Sequence, residues 1–215
     1  MSSYKVIYYN YRGRAEAIRF LLNYGGIEFE DFRFESEDDW PKYKPSMPYG
    51  KVPVLEIDGV KYSNTLAICA FLGKKFNLAG SNDLEELQIH TAAAFVYDLI
   101  DTVEDVLYYY KPSFTEEVYK KEVRKLIEET IPTSLQKFET IVAQNGGHFV
   151  NGKLSWADIY FTSIYEYIFG MFIWSNEKCD ADFLEKNENL KKLYEKVRNI
   201  ESIKKWIAKR PETNG

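Results

Sequence analysis

Residues 51–76 read KVPVLEIDGVKYSNTLAICAFLGKKF, and this stretch decides the fold. KVPVLEI (51–57) is rich in β-branched and aliphatic residues, as strands are. Asp58-Gly59 is a strong two-residue hairpin signal, so VKYS (60–63) pairs back as a further strand. TLAICAFLGKKF (65–76) then reads as a helix. Pro53 cannot donate to a sheet ladder, which places it at a strand start or an edge. Its peptide bond can be cis or trans, and a cis form would turn the backbone of Val52 outward.

Working back toward the N-terminus, YKVIYY (4–9) is a first strand, followed by the basic, glycine-containing turn NYRGR (10–14). Ala15, Ile18, Leu21 and Leu22 recur at helical spacing up to Tyr24, and Gly25-Gly26 ends the run. IEFEDFRF (27–34) is a second strand. The predicted order is β-α-β, a connecting loop, then β-β-α. The first unit requires a parallel pair with a right-handed crossover.

Beyond the polar linker NLAGSND (77–83), strand signals largely vanish. Residues 84–110 form one long helical pattern. Thr115-Glu116-Glu117 can cap another helix, which runs toward a kink or break at Pro132. Gly146-Gly147 marks a loop. Ser155-Trp156-Ala157-Asp158 matches a capping box and opens an aromatic-rich helix. Helices are expected over about 182–199 and 201–209. The expected architecture is a small α/β domain over 1–80 followed by an all-helical domain over 83–215.

A chain of 215 residues, 45% of them hydrophobic, can bury a sizeable core. Its net charge of -5 disfavours binding to nucleic acid through overall charge. Residues 1–80 hold 11 Lys+Arg against 10 Asp+Glu, so the first part tolerates a small acidic ligand better than the acidic remainder does. The start MSSYKVIYY lacks the pattern of a signal peptide, and no apolar run approaches a membrane span. Two distant cysteines, Cys69 and Cys179, fit a reducing cytosol, and a cytoplasmic location is expected. Neither His90 nor His148 shares metal-ligand spacing with the cysteines, so no metal is expected.

Individual residues each admit two readings. Tyr8 ends the first strand, where its phenol is either core packing or a donor into a cleft at the strands' carboxyl ends. Arg14 is either solvated or an electrostatic support beside the helix N-terminus. Trp40 is a cover over the sheet or a ligand contact. Gly50, Lys51, Val52 and Pro53 form a plain loop-to-strand entry or a backbone edge for a peptide-like ligand. Ser63 or Thr65 caps the following helix, whose free N–H groups also attract a carboxylate.

Taken together, Tyr8, RGRAE (12–16), DWPKYKPSMPYGKVPVLEIDG (39–59), SNTLAI (63–68), LSWADIYF (154–161) and WIAKRPET (206–213) stand in the order they take in cytosolic glutathione transferases. The pattern is similar to the sigma class, which includes glutathione-dependent prostaglandin D synthases. The resemblance implies a thioredoxin-like α/β N-terminal domain, an all-α C-terminal domain, a homodimer and glutathione as co-substrate. It implies that Tyr8 binds the glutathione sulfur with support from Arg14. Trp40 and Lys44 would reach the glycyl end, near Gly50 and Lys51. Val52, before a cis Pro53, would pair with the cysteinyl part. Asn64 and Thr65 would hold the γ-glutamyl carboxylate, and Asp98 would reach the neighbour's ligand across the dimer. Asn64 stands where Gln is usual in this class, and Thr65 where Ser is. Ala94 and Tyr97 occupy two positions of the acidic cluster linked to metal activation in vertebrate relatives, so that site is not carried over.

The reaction so implied is thiolate attack on a hydrophobic or lipid-derived electrophile. Isomerase and peroxidase side activities are open. Tyr9, Tyr11, Val103, Leu107 and Tyr160 are expected to line the electrophile pocket between the domains, although an aromatic stripe at helical spacing also reads as core. The alternative is a non-catalytic, crystallin-like relative, and the largely intact ligand set argues against it. A thiol-disulfide relative is disfavoured because no cysteine precedes Cys69.

Overall fold

The computed structural model describes all residues except Met1, Asn151, Lys178, Asp180, Ala181, Asn214 and Gly215. The extreme ends of both expected domains therefore lie outside the described residues.

Four strands form one mixed sheet: β1 (Tyr4–Tyr8), β2 (Glu30–Arg33), β3 (Val54–Ile57) and β4 (Val60–Ser63), in the spatial order β2-β1-β3-β4. β1 runs parallel to β2, joined by helix α1 (Glu16–Tyr24), while β1–β3 and β3–β4 are antiparallel. Asp58 and Gly59 both take left-handed φ angles, 51° and 82°, as the tight β3–β4 turn requires. The connection between β2 and β3 carries the short helix α2 (Trp40–Tyr43), and α3 (Thr65–Lys75) follows β4.

Strand alternation decides which side of the sheet each β1 residue serves. Tyr4, Val6 and Tyr8 enter the main core with Ala17, Ile18, Leu21 and Leu22 of α1. Ile7 points the other way, into a smaller cluster with Phe34, Met47 and Val54. Trp40 and Tyr43 of α2 pack on that cluster, so this face of the sheet is covered as well.

All remaining described elements are helical: α4 (Asp83–Glu104), α5 (Glu116–Lys125), α6 (Ile131–Gln144), α7 (Trp156–Trp174), α8 (Glu188–Arg198) and α9 (Glu201–Lys209). Asn82 caps α4 by accepting from the N–H groups of Leu84 and Glu85 at 3.1 and 3.0 Å. The expected helix over 84–110 continues past α4 as a π turn over Asp105–Tyr109. A second π turn, Leu126–Thr130, joins α5 to α6 just before Pro132, where the break was expected. The predicted helix over 182–199 starts only at Glu188. Asn187 is buried, and its side-chain amide donates to the Phe183 carbonyl at 2.7 Å, closing a turn ahead of the helix.

α7 is apolar around nearly its whole circumference and packs against α1, α3, α4 and α8. Its N-terminus has the expected capping box. The Asp158 carboxylate accepts from Ser155 N–H and Oγ at 2.6 and 2.8 Å, and also from Phe149 N–H at 2.9 Å. This buried acid satisfies the donors that α7 would otherwise leave unpaired in the core.

Candidate functional site

Tyr8 lies at the carboxyl end of β1, and its ring is walled by Tyr9 and Tyr11, with centroids at 5.6 and 5.3 Å. Its phenol oxygen accepts a hydrogen bond from the Arg14 backbone N–H at 3.2 Å. Burial pushes the phenol far above its ordinary pKa. The Arg14 N–H works against that shift, and the charge of Glu104 adds to it. The phenol therefore stays protonated near neutral pH, with its proton available to a partner that can accept it.

The turn after β1 is held from several sides. Gly13 has φ +47°, and a Cβ there would lie 2.6 Å from Tyr8 Cε1 and 2.8 Å from its hydroxyl oxygen. Only glycine fits between this backbone and the phenol. Arg19, fully buried, donates to the carbonyls of Tyr11 and Arg12 at 3.2 and 3.1 Å, and pairs with Glu16 and Asp31. Glu16, also fully buried, accepts from Trp206 Nε1 and Arg210, each at 2.8 Å. Burial alone would raise the Glu16 carboxyl, but Arg19 and Arg210 outweigh it and hold the pKa below the ordinary range. The RGRAE turn is thus bolted to α9 as well as to β2.

The guanidinium of Arg14 reaches across to α4. Nε donates to Glu104 Oε1 at 3.1 Å, Nη2 donates to Glu104 Oε2 at 2.6 Å and to Asp101, and the group lies over the Tyr97 ring at 4.6 Å. Tyr167 of α7 donates to Glu104 Oε1 at 3.2 Å.

Thr65, buried at the first position of α3, points its hydroxyl at the Arg14 carbonyl, 3.4 Å away. The start of α3 is thereby tied to the Tyr8 turn. The helix cap differs from the sequence expectation: it is Asn64, not Ser63 or Thr65. Asn64 takes φ +84°, and its Oδ1 accepts from Ala67 N–H at 3.1 Å. Ser63 still belongs to β4, and Thr65 is already helical with its hydroxyl committed elsewhere. The Val52–Pro53 peptide is cis. Pro53 is buried, Val52 half-buried, and Lys44 and Lys51 exposed. The Lys44 stem runs past Gly50, 3.4 Å from where a Cβ would stand. Trp40 packs on Tyr9 and Phe34 with centroids at 5.9 and 5.7 Å.

The structure brings Tyr8, Arg14, Thr65 and the backbone around them together. Tyr9 and Tyr11 stack on one another, centroids 5.4 Å apart, half-buried beside Tyr8. Val103, Leu107 and Tyr160 do not line open surface there. All three are fully buried in the main core: Val103 of α4 and Tyr160 of α7 where those helices pack together, and Leu107 in the π turn that continues α4. Asp98 sits on the exposed side of α4.

A cavity of about 640 Å³ lies elsewhere, lined by residues such as Arg12, Tyr165, Phe169 and Tyr194, and neither Tyr8 nor the start of α3 borders it. Its size does not make it the reactive centre, since Arg198 and Arg210 there are already paired with Glu166. Among the described residues no group of three or more His, Cys, Asp or Glu could hold a metal ion. No described helix is long and apolar enough to cross a membrane.

Sequence reasoning missed the roles of Gly13, Asp101, Glu104 and Tyr167. The available signal was Asp101 and Glu104 three residues apart, hence on one face of α4, beside the buried positions Ile100 and Val103.

Residues 4–74 match the family described as "Glutathione S-transferase, N-terminal domain", and residues 98–210 match "Glutathione S-transferase, C-terminal domain". A glutathione S-transferase of Anopheles gambiae is 38% identical, covering 99% of each chain. A hematopoietic prostaglandin D synthase of Gallus gallus is 34% identical, again over 99% of each. The solved prostaglandin synthase D of Nilaparvata lugens superposes with a TM-score of 0.85 at 41% identity, covering 98% of this chain and 100% of that one. The four-stranded sheet, the helical half and these matches define one class of protein: the chain belongs to the glutathione S-transferase family. It is a transferase that uses glutathione as co-substrate and conjugates it to electrophiles, and the sigma-type relationship read from the sequence stands.

Proposed function

We propose that Tyr8 activates glutathione by donating its phenolic proton in a hydrogen bond to the sulfur, and that the resulting thiolate attacks a hydrophobic, lipid-derived electrophile. The observation that carries this reading is the buried, protonated Tyr8 phenol at the carboxyl end of β1, with its oxygen already accepting from the Arg14 N–H. A free thiol ionises near pH ~8.5, and only its thiolate is a strong nucleophile. A donor aimed at the sulfur favours the charged form.

In this reading glutathione lies along the cis-Pro53 edge. The Val52 backbone pairs with the cysteinyl part, and Trp40, Lys44, Gly50 and Lys51 surround the glycyl end. The γ-glutamyl carboxylate meets Asn64, Thr65 and the N-terminus of α3. The half-buried Tyr9 and Tyr11 form the wall that receives the electrophile. The relatives named prostaglandin D synthase support a lipid substrate and an isomerase side activity. The two units meet in this reading at residues 80–83, and two reduced cysteines suit the cytoplasm.

The test is conjugation of glutathione to 1-chloro-2,4-dinitrobenzene, with prostaglandin H2 isomerisation measured alongside. Saturable turnover with the first is expected. No turnover together with no glutathione binding by calorimetry would overturn the reading.

The dimer belongs to the same proposal. Tyr62 of β4, Phe71 of α3, and Leu87 and Phe95 of α4 are all at least half exposed, and α3 packs against both β4 and α4. Exposed apolar side chains on adjoining elements suit a self-complementary interface. Asp98 shares the exposed side of α4 with Phe95, which supports its reach to the neighbour's γ-glutamyl amine. Sedimentation velocity is expected to give twice the chain mass for wild type and the monomer mass for Phe71→Glu. A wild-type monomer at micromolar concentration would refute the interface.

A further inference from the structure

The sulfur site lies beside an arginine whose charge is spent elsewhere. The Arg14 side chain is mostly buried, and the Nε–Nη2 edge of its fork is taken by carboxylates: Glu104 at 3.1 and 2.6 Å, and Asp101 on the same Nη2. Glu104 is itself 7% exposed and is held in place by the Tyr167 hydroxyl. One guanidinium against two carboxylates leaves this corner with a net negative charge, and Tyr8 senses Glu104 as well as Arg14.

We infer that Glu104, assisted by Asp101, is a positioning residue that draws the Arg14 guanidinium onto α4 and cancels its charge, so that ionisation of the bound thiol depends on the Tyr8 donor and backbone N–H groups. This inference rests on the reading of Tyr8 as the sulfur's partner. The groups facing the corner are few. Tyr8 comes from β1 and Arg19 from α1, and Arg19 is closed off by Glu16 and Asp31. Tyr97 comes from α4, Tyr108, Tyr109 and Asp105 from the π turn, and Tyr160 and Tyr167 from α7. Burial raises the phenols of Tyr108, Tyr109, Tyr160 and Tyr167, so these four stay neutral and cannot offset the carboxylates.

The sign follows directly. A negative charge near a thiolate disfavours ionisation, so Glu104 holds the bound thiol's pKa higher than Arg14 alone would set it. Glu104→Gln keeps the shape and one acceptor while removing the charge. The acid limb of the kcat/KM–pH profile, and the ultraviolet titration of bound glutathione thiolate, are both expected to move down by about half a unit or more. Below the limb, kcat/KM then rises about threefold. Glu104→Asp, which retains the charge, is expected to keep the wild-type limb. Asp101→Asn, at a side chain 46% exposed, moves the limb the same way by less, and it carries the test if Glu104→Gln does not fold.

An unmoved or raised limb in the folded variant would overturn the inference and reduce Glu104 to a packing role. Failure of the Tyr8 reading looks different: wild type itself would bind glutathione without any thiolate signal below the free thiol's pKa.

Discussion

Tyr8→Phe is expected to lower kcat/KM for 1-chloro-2,4-dinitrobenzene by about 10²-fold near neutral pH, with glutathione affinity nearly unchanged. The substitution removes one oxygen and leaves the ring that packs against Tyr9 and Tyr11. It takes away the only part of Tyr8 that distinguishes thiolate from thiol, so it acts on kcat and not on binding. The effect must depend on pH. Without the donor, the bound thiol ionises near its free value of about 8.5, so the deficit is greatest at low pH and shrinks as pH rises through that value. A stopped-flow or steady-state profile from acid to alkaline pH checks this. A loss that stays equal at every pH would show that Tyr8 contributes through geometry and not through thiolate stabilisation. Because the Arg14 N–H also loses its acceptor, a small loss of stability accompanies the change, about 1 kcal/mol.

Gly13→Ala is expected to damage both stability and activity. At φ +47° a side chain is strained, and here the added methyl would meet the Tyr8 ring and hydroxyl at 2.6 and 2.8 Å. Strain and overpacking together cost about 1–3 kcal/mol, to be read as a lowered urea midpoint at unchanged slope. Relief of the contact must come from the phenol or from the turn. Arg19 resists movement of the turn by gripping the carbonyls of Tyr11 and Arg12. The phenol is therefore displaced, and a shift of about 1 Å at a catalytic donor costs up to 10²-fold in rate. Comparison with Tyr8→Phe separates the two effects: both lose activity, but only Gly13→Ala loses the larger share of stability. Wild-type stability and rate in Gly13→Ala would mean that the turn is free to open, contrary to the Arg19 anchoring.

The two results bear on the same design. A neutral phenol is placed by a glycine turn, while the neighbouring cation is held on the helical half by acids.

Much of this protein is legible in local sequence. Asp58-Gly59 forces a hairpin because few residues adopt paired left-handed angles, and the structure has both. The apolar spacing from Ala15 to Leu22 makes α1, and Ser155 with Asp158 starts α7, because hydrogen bonds over three or four residues decide helix ends. The order of motifs, from Tyr8 through Pro53 to the terminal helix, was enough to identify the family. Only the tertiary structure decided which surface each side chain meets. Val103, Leu107 and Tyr160 read as pocket or core, and the packing of α4 and its π turn with α7 made them core. Asn64 became the α3 cap because β4 extends through Ser63 and Thr65 is drawn to the Arg14 carbonyl. Arg14 found Glu104 across 90 residues of chain. No local rule chooses a partner at that distance: an ion pair between two halves forms where close packing, driven by burial of apolar surface, brings the charges out of water together.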